Sequence, residues 1–142
     1  MQHYQFTNLD HSLVTAEHLK RTAIVYVRQS TEGNAGSRAL CESQVELARA
    51  YTWPEHLIAV IDEDVGKGGF SVNDRRGWQH MLADVANNSV GIVFTINVSR
   101  LTRQASAYEQ LLSLAADHGT LLCISKRIID PSDGSGGTIN EK

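Results

Sequence analysis

Several features that mark special classes of protein are scarce in this sequence. Two cysteines and two prolines occur among 142 residues, and two cysteines are too few for a disulfide framework or a zinc ribbon. No apolar run approaches the roughly 18 residues of a membrane span. The first residues lack the basic and then apolar layout of a signal peptide. We therefore expect a cytoplasmic protein with no membrane partner.

The sequence also has little excess charge of either sign. Lys and Arg number 13 and Asp and Glu number 16, which gives a net charge of -3. This balance argues against salt-dependent binding of nucleic acid by an extensive basic surface, but it is compatible with a localised basic pocket. With 42% hydrophobic and 20% charged residues, the chain has the composition and length of about one folded domain.

Familiar metal and nucleotide motifs are missing. The sequence contains no GxxxxGK[ST] loop, no HExxH and no cluster of Cys and His, and its glycines at 66–69 fit no GxGxxG pattern. Asp62, Glu63 and Asp64 are better interpreted as a solvated or helix-capping cluster than as a metal site. We predict neither a metal nor a cofactor.

Apolar, β-branched runs alternate with amphipathic segments along the chain. The runs predict strands at 23–27, 57–61, 90–96 and 120–125, and the segments predict helices at 38–51, at 75–87 and from 99 or 101 to Gly119. This alternation predicts an α/β fold, a three-layer sandwich around a mainly parallel sheet of about four to five strands. Right-handed crossovers then place the carboxyl ends of the parallel strands along one edge.

The two ends of the chain differ in composition from its middle. Residues 1–20 are polar and predict an extension that is loosely packed or disordered, with a short helix after Ser12 or Thr15. Neither cap has the Glu or Gln three residues later that completes a capping box. Residues 21–130 form the predicted α/β domain, and residues 131–142, rich in Gly and Ser, a flexible tail.

Residues suited to phosphate chemistry follow the predicted strands. Arg28 and Ser30 come directly after the first strand and, two residues apart, point to the same side of an extended backbone. Arg100 and Arg103 share a face at a helix start, where cations are disfavoured unless an anion joins them. Arginine forks and a hydroxyl on one edge predict a phosphate-ester site with a serine nucleophile.

Five motifs in this order resemble the serine recombinases, the resolvase and invertase family, and especially its large members. They are YVRQST at 26–31, CESQVELA at 41–48, DEDVGKGG at 62–69, NDRRGWQHML at 73–82 and NVSRLTR at 97–103. The resemblance covers about Thr22 to Asp130. It implies the catalytic domain of a site-specific DNA recombinase.

The resemblance also implies residue roles and partners. The implied site consists of Ser30 as nucleophile, Arg28, Arg75, Arg100 and Arg103 as phosphate ligands, Gln44 as polar support and Asp64 as an acid that orients an arginine. The implied reaction uses no metal and joins the serine to a DNA 5′-phosphate before strand exchange and rejoining. Double-stranded DNA is the implied partner, family members act as tetramers on two paired sites, and a dimerisation helix is expected where the tail begins.

The sequence departs from the family pattern at two places. Ser99 stands where Asp usually precedes the central arginine, although some large members also have Ser, and Gly68 stands where Ser is usual. Two alternatives to a working recombinase domain therefore stay open. One is a recombinase-like module that no longer catalyses, and the other is a different phosphoesterase on an α/β scaffold.

Overall fold

A five-stranded sheet forms the centre of the molecule. The computed structural model describes residues 11–27, 35–61, 76–95, 105–124 and 126–133, without the side chains of residues 35–38, 40, 105–107 and 133. The strands are β1 (Thr22–Tyr26), β2 (Ile58–Ile61), β3 (Val90–Thr95), β4 (Leu121–Ile124) and β5 (Arg127–Ile129), arranged in the order β2-β1-β3-β4-β5. β1 to β4 are parallel, and β5 pairs antiparallel with β4.

Helices cover both faces of this sheet. They are α1 (Ala16–Leu19), α2 (Ala35–Ala50), α3 (Arg76–Ala86) and α4 (Ala105–His118), with 3-10 turns at Glu55–Leu57 and Pro131–Asp133. α2 and the segment before β1 pack on one face, and α3 and α4 pack on the other. The predicted fold class is confirmed. Among the described helices, none is both long and apolar enough to cross a membrane.

The strands point alternate side chains into two separate cores. Val25 and Phe94 meet Leu47 and Tyr51 on the α2 side. Ile24, Tyr26 and Val93 meet the helices on the other side, where the ring centroids of Tyr26 and Trp78 lie 5.9 Å apart. Buried on both faces, β1 and β3 are the continuous apolar runs expected of central parallel strands.

Two strands differ from the sequence prediction. The apolar run at 57–61 predicts a buried strand, but β2 is an edge strand, and Val60 is 40% exposed. β5 corresponds to none of the predicted strand segments, because it has only three residues and depends on a tight turn. Lys126 makes that turn with a positive φ of 71°, a conformation that few non-glycine residues adopt.

The described part of the N-terminal extension, residues 11–20, packs more closely than its composition predicts. Leu13, Val14 and Leu19 pack against the core on the α2 side. Thr15 caps α1, as predicted, but a capping box does form. The Thr15 amide donates to Nδ1 of His18 at 3.0 Å, so a histidine fills the place usually held by Glu or Gln.

The register aligns the carboxyl ends of the four parallel strands. Tyr26 pairs with Ile61, and Thr95 pairs with Ile124. The β1–β3 register ends at Val25 opposite Phe94, and one further step sets Tyr26 beside Thr95. Since Tyr26, Ile61 and Ile124 all belong to the core on the α3 and α4 side, Thr95 occupies the same face as these neighbours.

Candidate active site

The predicted site residues divide sharply between described and undescribed parts of the chain. Gln44 is described. Arg28, Ser30, Asp64, Arg75, Arg100 and Arg103 lie outside the described residues, as do the two departures from the family pattern, Gly68 and Ser99. Their roles therefore stay predictions.

The described strands nevertheless fix where the chain leaves the sheet towards three of the undescribed segments. Residue 28 follows the end of β1, residue 62 follows the end of β2, and residue 96 follows the end of β3. These strands are direct neighbours. Because paired strands lie about 4.8 Å apart, the three chain exits fall within about 10 Å of one another. Three of the five motif segments, YVRQST, DEDVGKGG and NVSRLTR, begin within two residues of these strand ends.

Gln44 lies on the inner face of α2 towards this edge. α2 begins after the carboxyl end of β1 and ends before the amino end of β2, so it runs against the strands. Gln44 is one turn nearer the helix start than the buried Leu47 and Ala48, and it is itself only 5% exposed. Its Nε2 lies 3.5 Å from the Ser43 hydroxyl, and its Oε1 has no hydrogen-bond partner among the described residues.

Two further residues with buried side-chain oxygens lie at this edge, and the sequence analysis did not predict either as a site residue. Thr95 ends β3 with 2% exposure, and Tyr108, in the first described turn of α4, is 7% exposed. Within the described ranges, neither hydroxyl has a hydrogen-bond partner. Burial raises the pKa of Tyr108 to about 12, so its phenol is protonated at neutral pH. The only feature of the sequence that could have pointed to Thr95 is its place as a polar residue directly after the apolar run 90–94.

At the opposite edge of the sheet, where the parallel strands begin, buried polar groups form hydrogen bonds with one another. Nη1 of Arg21 donates to the carbonyl oxygens of His118 at 2.8 Å and Val90 at 3.3 Å. The Thr120 hydroxyl donates to the same Val90 oxygen at 2.8 Å, and Nε1 of Trp53 donates to the Arg21 carbonyl at 2.9 Å. Buried polar groups normally find such partners. Among the residues that the structure describes, the buried side-chain oxygens without a hydrogen-bond partner therefore lie towards the carboxyl edge.

The described residues offer little competing chemistry. They contain no cluster of three or more His, Cys, Asp or Glu side chains able to hold a metal ion. Cys123 is buried, and its burial raises the pKa of the thiol to about 12 despite an opposing backbone hydrogen bond at Lys126. Since the thiolate is the nucleophilic form, Cys123 is not a nucleophile at neutral pH.

Comparison with known proteins decides the family. The family model for the resolvase N-terminal domain matches residues 23–140. This chain belongs to the resolvase family. The family predicted from the five motifs is confirmed, and the match is to the N-terminal domain of that family.

A relative with a similar sequence is also known. The resolvase-family chain is 39% identical over 127 residues to the uncharacterized protein y4bA/y4pH of Sinorhizobium fredii (strain NBRC 101917 / NGR234). The match covers 84% of this chain and 18% of that protein. The chain therefore spans less than a fifth of its relative's length.

Solved structures show the same fold. The N-terminal catalytic domain of TP901-1 integrase has a TM-score of 0.64 at 18% identity, covering 82% of this chain and 86% of that one. The C-terminal catalytic domain of ISC1926 TnpA, an IS607-like serine recombinase, has a TM-score of 0.62 at 20% identity, covering 73% and 70%. A resolvase family site-specific recombinase from Streptococcus pneumoniae has 0.53 at 24%, covering 86% and 87%.

Proposed function

We propose that this chain is the part of a site-specific recombinase that cuts and rejoins double-stranded DNA through a covalent 5′-phosphoserine. The observation that carries the proposal is the convergence of three adjacent strand ends at one edge. Each of these ends is followed in the sequence by a segment that resembles a motif of the resolvase family. The proposed domain comprises residues 21–130, after the extension 1–20 and before the tail 131–142, where a dimerisation helix would begin.

The proposed cleavage step forms one bond and breaks one. Oγ of Ser30 attacks the phosphorus, the serine loses its proton, and the bond from phosphorus to the 3′-oxygen breaks as that oxygen gains a proton. The 5′-phosphate is then held on Ser30. After strand exchange, a 3′-hydroxyl attacks the phosphoserine and releases the serine, which restores the DNA backbone.

Arginines would stabilise the charge that gathers on the non-bridging oxygens during both attacks. Arg28, Arg75, Arg100 and Arg103 are the proposed donors, with Asp64 orienting one of them. Guanidinium forks match phosphate oxygens in geometry. Removing one well-placed donor typically slows such reactions by about 10²–10³.

Gln44 would support this cradle from the α2 side. Its Oε1 is buried at the carboxyl end of the sheet without a partner among the described residues. An amide oxygen accepts hydrogen bonds without cancelling an arginine's charge. Gln44 is therefore suited to hold a guanidinium beside the phosphate.

The proposal extends to partners and location. The net charge of -3 gives this chain no general attraction for DNA. Stable binding would come from self-association, as a dimer and then a tetramer on DNA, and from segments that bind DNA outside this domain. Such a protein would act in the cytoplasm.

A covalent capture experiment tests the proposal, and a random-sequence duplex library makes it independent of the target sequence. The natural protein that contains this chain is incubated with the library, denatured, and assayed for DNA that stays attached. We expect adducts with the wild type and with Ser132→Ala, and none with Ser30→Ala. Ser132 is a suitable control because it is exposed and bonded to Asp130 after β5, away from the carboxyl edge.

Two other results would identify the alternatives. A folded wild type that forms no adduct on any duplex would favour the module that no longer catalyses. Hydrolysis of small phosphate esters, lost in Arg100→Ala and without any DNA adduct, would favour a different phosphoesterase.

A further inference from the structure

A histidine ring stabilises the first described segment of the chain. This N-terminal segment, residues 11–20, lies before residue 23, where the match to the family model begins. Within it, Nδ1 of His18 accepts a hydrogen bond from the Thr15 amide at 3.0 Å, and the Thr15 hydroxyl lies 3.0 Å from the same nitrogen. The capping box of α1 therefore depends on a ring nitrogen that acts as an acceptor.

The same ring also links α1 to a distant part of the chain. It forms a hydrogen bond with the backbone of Gly119, in the connection between α4 and β4. A neutral imidazole has one N–H group and one acceptor nitrogen, and the contact with Thr15 takes the acceptor. His18 can therefore fill both roles only while its ring is neutral and carries its proton on Nε2.

The N-terminal segment is held on the sheet by a close contact and by shallow apolar packing. A Cβ added to Gly91 would lie only 2.3 Å from the His18 carbonyl oxygen, so α1 rests directly on β3. The apolar side chains of the segment that pack against the core are all only partly buried: Leu13, Val14 and Leu19. A segment with so few fully buried contacts can open locally at a low cost in free energy.

The groups around His18 act on its proton in both directions. One cation and two carboxylates face the ring: Arg21 before β1, Glu17 on α1 and Asp130 after β5. Glu17 is shared with Lys20 at 3.5 Å, and His118 at the end of α4 bonds Asn88. Burial, with the cation, outweighs the carboxylates and lowers the pKa of His18 below 6.5 while the segment is docked.

We propose that His18 is a pH-sensitive latch, and that a second proton on its ring releases the N-terminal segment from the sheet while the domain stays folded. A doubly protonated ring has an N–H group at each nitrogen, so it can no longer accept from the Thr15 amide. In the released segment the charged ring is hydrated and α1 has lost its cap. The latch goes beyond the proposed function and does not depend on it.

Proton linkage gives the direction and the size of the effect. In the released segment His18 has an ordinary pKa of about 6.5, which is higher than in the docked segment, so the released form binds the proton more readily. Release is therefore favoured as the pH falls below about 6.5 and is insensitive to pH well above it. Between pH 7.5 and 5.5 the opening constant should rise several-fold, with about tenfold as the limit when the docked ring stays neutral throughout.

The first measurement identifies the ring nitrogen that carries the proton. Long-range ¹H–¹⁵N NMR spectra of this chain are recorded at pH 7.5, and His18→Gln assigns the ring signals. We expect the Nε2–H tautomer at His18. An Nδ1–H tautomer would leave no acceptor for the Thr15 amide and would overturn the proposal.

The second measurement is amide hydrogen exchange at pH 7.5 and 5.5, converted to opening constants with the intrinsic rate at each pH. The amides of Leu19 and Arg21 report on the segment, because they donate to the carbonyl oxygens of Thr15 and His18. Their opening constants should rise several-fold at the lower pH and stay far above those of the β1 and β3 amides. His18→Gln should abolish the rise, and the matched control His118→Gln should keep it.

Three exchange results would overturn the latch. They are opening constants at Leu19 and Arg21 that do not change with pH, an equal rise in His18→Gln, and opening constants no larger than those of β1 and β3. The last result would mean that the segment opens only when the whole domain unfolds. Because none of these measurements uses DNA, failure of the proposed function would leave them unaffected.

Discussion

Gly91→Ala should loosen the N-terminal segment without disturbing the carboxyl edge. Gly91 lies in β3 beneath α1, where an added Cβ would overlap the carbonyl oxygen of His18 and lie 3.0 Å from its carbonyl carbon. Backbone atoms cannot swing aside as the end of a side chain can. Either α1 moves away from the sheet, or β3 shifts relative to the strands with which it is hydrogen-bonded.

The expected loss of stability is about 1–3 kcal/mol, the usual range for overpacking a tight site. Movement of α1 is the less costly response, because Leu13, Val14 and Leu19 are only partly buried whereas β3 is buried throughout. A domain of this size should then lose roughly 3–10 °C in Tm. The DNA cleavage rate should not change, since α1 lies away from the chain exits.

Urea unfolding and amide hydrogen exchange measure the two parts of this prediction. The Arg21 amide donates to the same His18 carbonyl at 3.0 Å, so its exchange should accelerate in Gly91→Ala. Leu13→Ala is the reference variant, because it weakens the same packing without a collision. The double variant should lose less stability than the two single losses added together.

Three results would refute this reasoning. They are an unchanged Tm in Gly91→Ala, unchanged exchange at Arg21, and stability losses that add fully in the double variant. The last would mean that the two substitutions do not act through one docked segment.

Two further predictions concern His18 and Gln44. Burial, helped by Arg21, lowers the pKa of His18 below 6.5, so the unfolded chain binds this proton more readily and stability falls as the pH drops below about 6.5. His18→Gln keeps a side chain that can cap the helix but cannot titrate. Its free energy of unfolding should therefore fall less than that of the wild type between about pH 7.5 and 5.5. An equal fall for both proteins, measured by urea unfolding at each pH, would contradict this. Gln44→Met should leave the free energy of unfolding unchanged or raise it by up to about 1 kcal/mol, because Oε1 has no partner among the described residues. The same substitution should slow adduct formation about tenfold or more. The exposed Gln79→Met serves as its control, and a Gln44→Met rate equal to that control would remove Gln44 from the site.

Much of the fold could be predicted because the central strands combine two signals. β1 and β3 are β-branched, apolar on both faces and separated by helical segments, which leaves few alternatives to a parallel sheet. The periphery carries weaker signals in its residue pattern. The exposure of Val60 depends on which strand lies at the edge, and β5 depends on the backbone of Lys126.

The chemistry of the candidate site is predicted from the sequence and stays a prediction, whereas the buried polar residues near it were not predicted. Arginine and serine motifs are visible as residue types at fixed spacing, and Gln44 was reached through the family pattern. Thr95 and Tyr108 belong to no family motif noted in the sequence, and the weak signal of a threonine at a strand end, like a tyrosine on an apolar helix face, usually indicates packing. Their interest comes from buried oxygens that have no hydrogen-bond partner in the described part of the chain, and only the three-dimensional arrangement reveals this.

The most direct test of the account is to identify the residue that becomes joined to DNA. The adduct formed by the natural protein is digested with protease and nuclease and mapped by mass spectrometry. The account predicts a nucleotide attached through its 5′-phosphate to Ser30, with a free 3′-hydroxyl on the other DNA end. Attachment to another residue, or through a 3′-phosphate, would contradict it.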